Sequence, residues 1–269
     1  MRVEIPPFTT IVWEGREARE RYSPVLSWAE RSLQHVELLL ILAGKRRCDV
    51  YHVDPYHMME QMIYLHRLGL KFRPLRLVRR FSGFAHKHEE PTGLHDALIF
   101  GVVGKREEDL LAFERAFRSC DDDAQGALLG YPECCREFFT KVWRAGELDP
   151  ILAIAKATGM NGKGEVEGDP LLNVLIRYAG ARVIPHLPCS FKCEPSRKFA
   201  LTILSFLKRM DRGMTRRLLE LLSKPVVWTQ VNGIIEARVE GVFRVIAGGY
   251  DSGPQRVVFI PEYDASKLV

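Results

Sequence analysis

Four of the six cysteines in this 269-residue chain lie in two short segments. Cys134 and Cys135 are adjacent, and three residues separate Cys189 from Cys193. Cysteine sulfur is a preferred ligand of zinc and of iron–sulfur clusters. If the two segments meet in the fold, their four sulfurs can surround one metal centre, and His186 can replace or support one of them. The pattern therefore predicts a zinc or iron–sulfur site formed by Cys134, Cys135, Cys189, Cys193 and His186.

The same residues leave other chemistry open, namely disulfides, redox thiols or simple packing. Pro132 precedes helical sequence, which would place Cys134 and Cys135 in the first turn of a helix, where the helix dipole favours thiolates. One of them could then act as a nucleophile with His186 as its base, in a thiol-dependent enzyme. The third hypothesis is a non-catalytic binding module that the cysteines hold together and that metal removal would unfold.

Two details limit these hypotheses. Adjacent residues on a helix diverge by about a quarter turn, so one of Cys134 and Cys135 could face the core instead of the site. Neither pair has the Cys-x2-Cys spacing of a zinc ribbon or a thioredoxin motif, and Ser196 stands where a radical S-adenosylmethionine triplet would need its third cysteine. Cys48 and Cys120 are isolated, and we expect both to be buried structural residues.

The two cysteine segments also carry a family resemblance. Residues 130–135 read Gly-Tyr-Pro-Glu-Cys-Cys, and residues 185–196 include Pro-Cys-Ser-Phe-Lys-Cys-Glu-Pro-Ser. This resembles an uncharacterised, mainly archaeal protein family of unknown function that shares Gly-Tyr-Pro-x-Cys-Cys and Pro-Cys-Ser-x-x-Cys-x-x-Ser, and the similarity is specific over about residues 95–210. The resemblance implies no activity. It implies that the following are family features: Tyr131, Cys134, Cys135, Phe138, Asn173, His186, Cys189, Cys193 and Ser196.

The elements that would position these residues indicate an α+β (mixed α/β) fold. Strand and helix patterns alternate through the first part of the chain, and Asn232-Gly233 between two apolar alternating runs is a strong hairpin signal. We therefore predict a layered α/β part over residues 1–122, a mostly helical part with the cysteine site over 123–224, and a small antiparallel sheet over 225–269. The three parts could form one compact unit.

Local patterns add finer expectations. Ser23-Pro24 predicts the start of a long first helix, Gly213 predicts a break between two later helices, and the Asp run 121–123 predicts a helix cap. The basic stretch 71–81 predicts an exposed edge strand, with phosphate binding as the alternative. A second helix would pack its apolar side into the core through Met58, Met59, Met62, Ile63 and Leu65.

Composition and charge constrain partner and location. With 46% hydrophobic residues the chain can bury a large core, which excludes a disordered protein. Residues 196–224 carry eight cations and two acids, against a net charge of +5 for the whole chain. RNA or DNA is the predicted partner of this segment, and a solvated face is the alternative. The arginines expected at the nucleic acid are Arg209, Arg212, Arg216 and Arg217.

No stretch of the sequence has the length and apolarity of a membrane span, and residues 1–7 lack the apolar centre of a secretory signal. We therefore expect a cytoplasmic protein without a membrane partner.

Overall fold

The computed structural model describes residues 9–80, 90–145, 149–231, 233–248 and 254–269, without the side chain of Arg144. The helices are α1 (Arg16–Leu42), α2 (Met58–Arg67), α3 (Glu107–Arg118), α4 (Asp122–Leu128), α5 (Glu133–Arg144), α6 (Ile151–Thr158), α7 (Glu194–Met210) and α8 (Arg212–Leu222). The strands are β1 (Thr9–Trp13), β2 (Cys48–Val53), β3 (Lys71–Arg79), β4 (Ala97–Gly104), β5 (Glu165–Gly168), β6 (Val226–Val231), β7 (Ile234–Val239), β8 (Phe243–Gly248) and β9 (Gln255–Pro261). The predicted α+β class is confirmed.

Two compact units make up the chain. One combines Met1–Val36 with Glu137–Val269, and the other comprises Glu37–Arg136. Both boundaries fall inside helices, since α1 and α5 each continue across one of them. The three-part division predicted at residues 122 and 224 stays a prediction.

The first unit contains a six-stranded sheet in the order β1-β8-β7-β6-β9-β5. Neighbouring strands are antiparallel except β5 and β9, which run parallel. The predicted hairpin is present as β6 and β7, and Val231 lies opposite Ile234. Alternate residues of β6 are buried, as expected for a sheet with one face on the core. This confirms the C-terminal antiparallel sheet, which β1 and β5 extend at its two edges.

The second unit contains the antiparallel sheet β2-β4-β3, with α3 and α4 contributing to its core. β3 is an edge strand, and the basic side chains on and just after it have partners within the unit. Arg73 pairs with Glu107 and Glu114, Arg79 with Asp96, and Arg80 with Asp54. Arg76 lies over the ring of Phe117, with its Cζ 5.2 Å from the ring centre. These contacts favour an edge strand protected by charge over a phosphate-binding ribbon.

Two helix boundaries differ from the predicted ones. α1 begins at Arg16, and Pro24 lies inside it. Tyr22, Val25 and Leu26 on either side of Pro24 are buried, and this packing offsets the one helical hydrogen bond that a proline cannot donate. Gly213 lies inside α8, because the chain turns at Asp211, whose side chain accepts a hydrogen bond from Met214 N. In contrast, the helix cap predicted at the Asp run 121–123 is present, because Asp121 Oδ1 accepts a hydrogen bond from Ala124 N at 3.0 Å at the start of α4.

Two burial predictions are wrong. Met59 is 70% exposed on α2, and Met58 and Ile63 are exposed as well, so only part of the apolar stripe packs inward. Cys120 is exposed at the turn that ends α3, with φ 53°. Cys48 is buried, as predicted.

Over the part of the chain that the structure describes, no helix has both the length and the apolar character needed to cross a membrane.

Candidate metal centre

Four cysteine sulfurs converge at one point. The Sγ atoms of Cys134, Cys135, Cys189 and Cys193 all lie within 4.8 Å of one another. Four sulfurs bound tetrahedrally at about 2.3 Å from zinc would stand about 3.8 Å apart, so the cluster has the dimensions of a metal site. The donor set also suits a metal, since four soft sulfurs with no carboxylate among them select zinc or iron. No disulfide joins the six cysteines, all of which the structure describes.

Both members of the adjacent pair belong to the cluster. The Sγ atoms of Cys134 and Cys135 are 3.9 Å apart, so the expectation that one of them could face the core is wrong. Cys135 is nevertheless the more buried of the two, and in the second pair Cys193 is more buried than Cys189. Each pair thus places one sulfur in the interior and one nearer to solvent.

A tight turn before α5 determines where Cys134 and Cys135 lie. Gly130 follows α4 with φ 73°, a conformation that favours glycine, and Tyr131 N donates to Gly126 O at 2.9 Å. Pro132 O then accepts from Cys135 N and Arg136 N, which opens the helix. The two cysteines are therefore the second and third residues of α5, in its first turn as predicted.

The second pair lies on a short turn that is held in place by the contacts of the residue between the two cysteines. Phe191, between the two cysteines, is fully buried and packs edge-on against Phe259 with ring centres 5.1 Å apart. Its backbone N–H donates to Thr158 Oγ1 at 2.8 Å, and its carbonyl accepts from Asp169 N at 2.9 Å. Cys193 N donates to Ser190 O, which closes the turn. The turn therefore holds its shape through contacts with α6 and with the end of β5.

α7 begins directly at the cluster. Cys193 is its N-cap, and Arg197 N donates to the Cys193 carbonyl at 2.9 Å. Because α5 also begins at the cluster, the positive ends of two helix dipoles lie near sulfurs that become negative when they bind a metal. Asp169 secures this end of α7, since it accepts from Arg197 Nε at 2.8 Å and from Tyr263 Oη at 2.6 Å. Burial and this hydrogen bond raise the pKa of Tyr263, which keeps the phenol protonated as a donor.

His186 lies close to the second pair in sequence, but it is not part of the group formed by the four converging sulfurs. It is buried, with Nε2 2.8 Å from Ser196 Oγ and its ring 5.8 Å from that of Phe199. Its predicted role as a ligand or supporting residue stays a prediction. Ser196 belongs to the first turn of α7, so this hydrogen bond connects His186 to the helix that Cys193 caps.

Asn173, another residue of the resemblance, has a structural role. Its Nδ2 donates to Leu222 O at 3.0 Å, and its Oδ1 accepts from Leu175 N at 3.2 Å. Both hydrogen bonds are buried. Asn173 therefore provides a donor for the carbonyl of Leu222 at the end of α8 and an acceptor for the N–H of Leu175. Sequence reasoning missed Thr158, because nothing in the sequence around it indicates that its hydroxyl would bind a turn more than thirty residues away.

The basic residues singled out on α7 and α8 are at the surface. Arg209, Arg212, Arg216 and Arg217 are all exposed, and none of them pairs with a carboxylate of the described residues. Arg209 lies over the ring of Phe206, 5.8 Å from its centre. The acid of α8, Glu220, instead accepts from Arg21 and Tyr22 of α1. Four cationic groups are thus left for solvent or a polyanion.

Cys48 differs chemically from the clustered cysteines. It is fully buried in the core of the second unit, and burial raises the pKa of its thiol to about 12. At neutral pH it is a protonated, apolar core residue.

No family model matches the chain, and no curated protein or solved structure is similar enough to match it.

Proposed function

We propose that this protein binds a single zinc ion through Cys134, Cys135, Cys189 and Cys193. The observation that supports the proposal is the close mutual approach of all four sulfurs, within 4.8 Å. In an iron–sulfur cluster the cysteines bind different irons, so their sulfurs spread around a larger object. Sulfurs that are all near one another suit one tetrahedral ion better.

The role we propose for the zinc is structural. Four protein ligands complete the tetrahedron and leave no position for water or substrate, as in structural zinc sites. The ion would connect the start of α5 to the turn before α7, two segments that are distant in sequence. A thiolate bound to zinc is also less available as a nucleophile, which makes the thiol-dependent enzyme the weaker hypothesis. Reduced sulfurs persist in reducing compartments, so we further propose a cytoplasmic location.

Metal analysis of protein purified without added metal or chelator tests the proposal. We expect one zinc per chain and no visible absorption. The four clustered thiols should react only after a chelator removes the metal, whereas the exposed thiol of Cys120 should react at once. If the analysis instead finds iron, together with visible charge-transfer bands, the site is an iron centre and the zinc proposal is wrong. A folded, metal-free protein in which all four thiols react at once, and which takes up no zinc when it is supplied, would overturn the proposal.

We propose a second function, binding of RNA or DNA, on a separate observation. The four arginines of α7 and α8 are exposed close together in sequence, and none of them pairs with a carboxylate of the described residues. In contrast, exposed Arg16 pairs with Glu20 and exposed Arg238 pairs with Glu14. Guanidinium groups that no acid neutralises are available for phosphate oxygens. Binding of a labelled RNA or DNA oligonucleotide, measured against salt concentration, tests it.

A further inference from the structure

We infer that Arg46 is a positioning residue for the Cys134–Cys135 half of the metal site. The inference rests on the proposed metal binding and adds a residue that the cysteine motifs do not include. Arg46 lies near the start of β2, far in sequence from the cysteines, and its side chain is 0% exposed.

Arg46 contacts three successive residues of the turn that leads into α5. Its Nε donates to Leu129 O at 2.6 Å. Its Cγ lies close to Gly130, where an added Cβ would make a tight contact of 3.2 Å. Its Cζ is 5.7 Å from the ring centre of Tyr131. The residue that follows is Pro132, whose carbonyl opens the helix carrying the cysteines.

The other end of the guanidinium is fixed to the sheet. Nη2 donates to Asp49 Oδ1 at 2.8 Å, and the same oxygen accepts from Val50 N at 2.9 Å on β2. Burial on its own would lower the pKa of the Arg46 guanidinium. Asp49 and other neighbours raise this pKa by more than burial lowers it, so the group stays charged. Arg46 therefore connects strand β2 to the carbonyl of Leu129, the residue that caps the C-terminus of α4.

The choice of arginine is itself informative. Burying a charged group is costly, and an apolar side chain could fill the same space without that cost. A guanidinium can hold a carbonyl and a carboxylate together in a fixed plane, which the single ammonium of lysine cannot do. What arginine adds at this position is control over the direction of the turn, and through it over where the two sulfurs point.

The variant R46M tests this role with Zn²⁺ and Co²⁺ as probes. Loss of a group that orients metal ligands typically lowers metal affinity about 10–100-fold, and we expect R46M to lose zinc affinity in that range in a chelator competition. The visible spectrum of the Co²⁺ protein should also change, because its bands report the geometry of the sulfurs.

R47M is the matched control. Arg47 is the adjacent arginine and also pairs with a buried aspartate, Asp109, through its Nε at 2.7 Å. Its described contacts lie away from residues 129–131, so R47M should lose stability while its zinc affinity and Co²⁺ spectrum stay as in the wild type. A purely structural role for Arg46 would make the two variants behave alike.

R46K keeps the inference testable if R46M does not fold. Lysine retains a cation beside Asp49 but cannot also hold Leu129 O, so we expect weaker zinc binding and an altered Co²⁺ spectrum. If R46K, or a folded R46M, matches the wild type in both measurements, the inference is overturned. If the wild type binds neither Zn²⁺ nor Co²⁺, the proposed function fails first and the inference fails with it, so the two failures are distinguishable.

Discussion

The Sγ atoms of Cys134 and Cys135 lie 3.9 Å apart in the first turn of α5, although the two residues are neighbours on a helix. That separation is close to the edge of about 3.8 Å between two sulfurs on a tetrahedral zinc ion. The quarter turn between adjacent helical positions therefore does not separate the two sulfurs. It places them on either side of one point, and Cys189 and Cys193 approach the same point.

Replacing a buried ligand should release the metal and destabilise the fold. We expect C135S and C193S each to bind less than one zinc per chain and to lower Tm by about 5 °C or more, because the binding free energy of a structural zinc contributes to folding. Metal analysis and thermal unfolding measure the two effects. C120S is the control, since Cys120 is exposed and outside the cluster, and it should change neither. Wild-type zinc content in both C135S and C193S would contradict a four-sulfur site.

The sequence predicted which four cysteines come together better than it predicted the contacts that hold them there. Four clustered cysteines indicate a metal because few other residues share their affinity for zinc, and that chemistry is visible in residue type and spacing alone. The orientation of Cys134 and Cys135 could not be predicted in the same way. The turn before them includes a contact that is distant in sequence, because Arg46 donates to Leu129 O from eighty-three positions away in the chain.

The fold shows the same limit. The β6–β7 hairpin was predictable because its turn and its alternation are local signals. The pairing of β1 with β8 was not, because it joins residues more than two hundred positions apart. The expected helix start at Pro24 was wrong for a related reason. A local rule assigns proline to a first turn, whereas burial of Tyr22 and Val25 keeps the helix continuous through it.

The hydroxyl of Thr158 should matter for the metal as well as for stability. Thr158 Oγ1 accepts from Phe191 N at 2.8 Å and donates to Ile154 O at 2.7 Å. T158V keeps the shape but leaves the Phe191 N–H without its acceptor, so we expect a loss of about 1–3 kcal/mol in the free energy of unfolding. Zinc affinity should fall too, because Phe191 lies between Cys189 and Cys193.

Two variants check this interpretation of Thr158. T158S restores the hydroxyl and should recover most of the zinc affinity. T202V removes a hydroxyl that donates only to Lys198 O in the preceding turn, and it should leave both stability and affinity nearly unchanged. Equal zinc affinity in T158V and the wild type would contradict a role for this hydrogen bond in holding the turn.

The pH dependence of stability should reveal the contribution that ionised Glu114 of α3 makes to the folded state. Hydrogen bonds from Arg118 and Arg73 hold the pKa of Glu114 below its ordinary value of 4.5. The folded state therefore binds a proton at Glu114 less readily than the unfolded state. The resulting stability is fully present above about pH 4.5 and is lost as pH falls through the folded-state pKa.

E114Q removes this contribution. The wild type should have the higher Tm at pH 6, and the difference in Tm between the two proteins should shrink steadily toward pH 3. Release of zinc in acid affects both proteins alike and cancels in the difference. A Tm difference that stays constant from pH 6 to pH 3 would contradict the role assigned to Glu114.

Removing the four arginines of α7 and α8 should weaken nucleic-acid binding more than removing four paired arginines elsewhere. We compare R209Q/R212Q/R216Q/R217Q with R16Q/R118Q/R238Q/R244Q, whose arginines pair with Glu20, Glu114, Glu14 and Glu236. Both variants lower the net charge of +5 by four, so a difference between them reflects position and not total charge.

The dependence of binding on salt gives the expected magnitude. If the wild type contacts four phosphates of a single strand, a plot of log K against log[salt] should have a slope of about −3. The first variant should have a flatter slope, whereas the second should keep the slope of the wild type. Fluorescence anisotropy of a labelled oligonucleotide provides both measurements. Equal weakening in the two variants, or wild-type binding that does not respond to salt, would contradict nucleic-acid binding by the four arginines of α7 and α8.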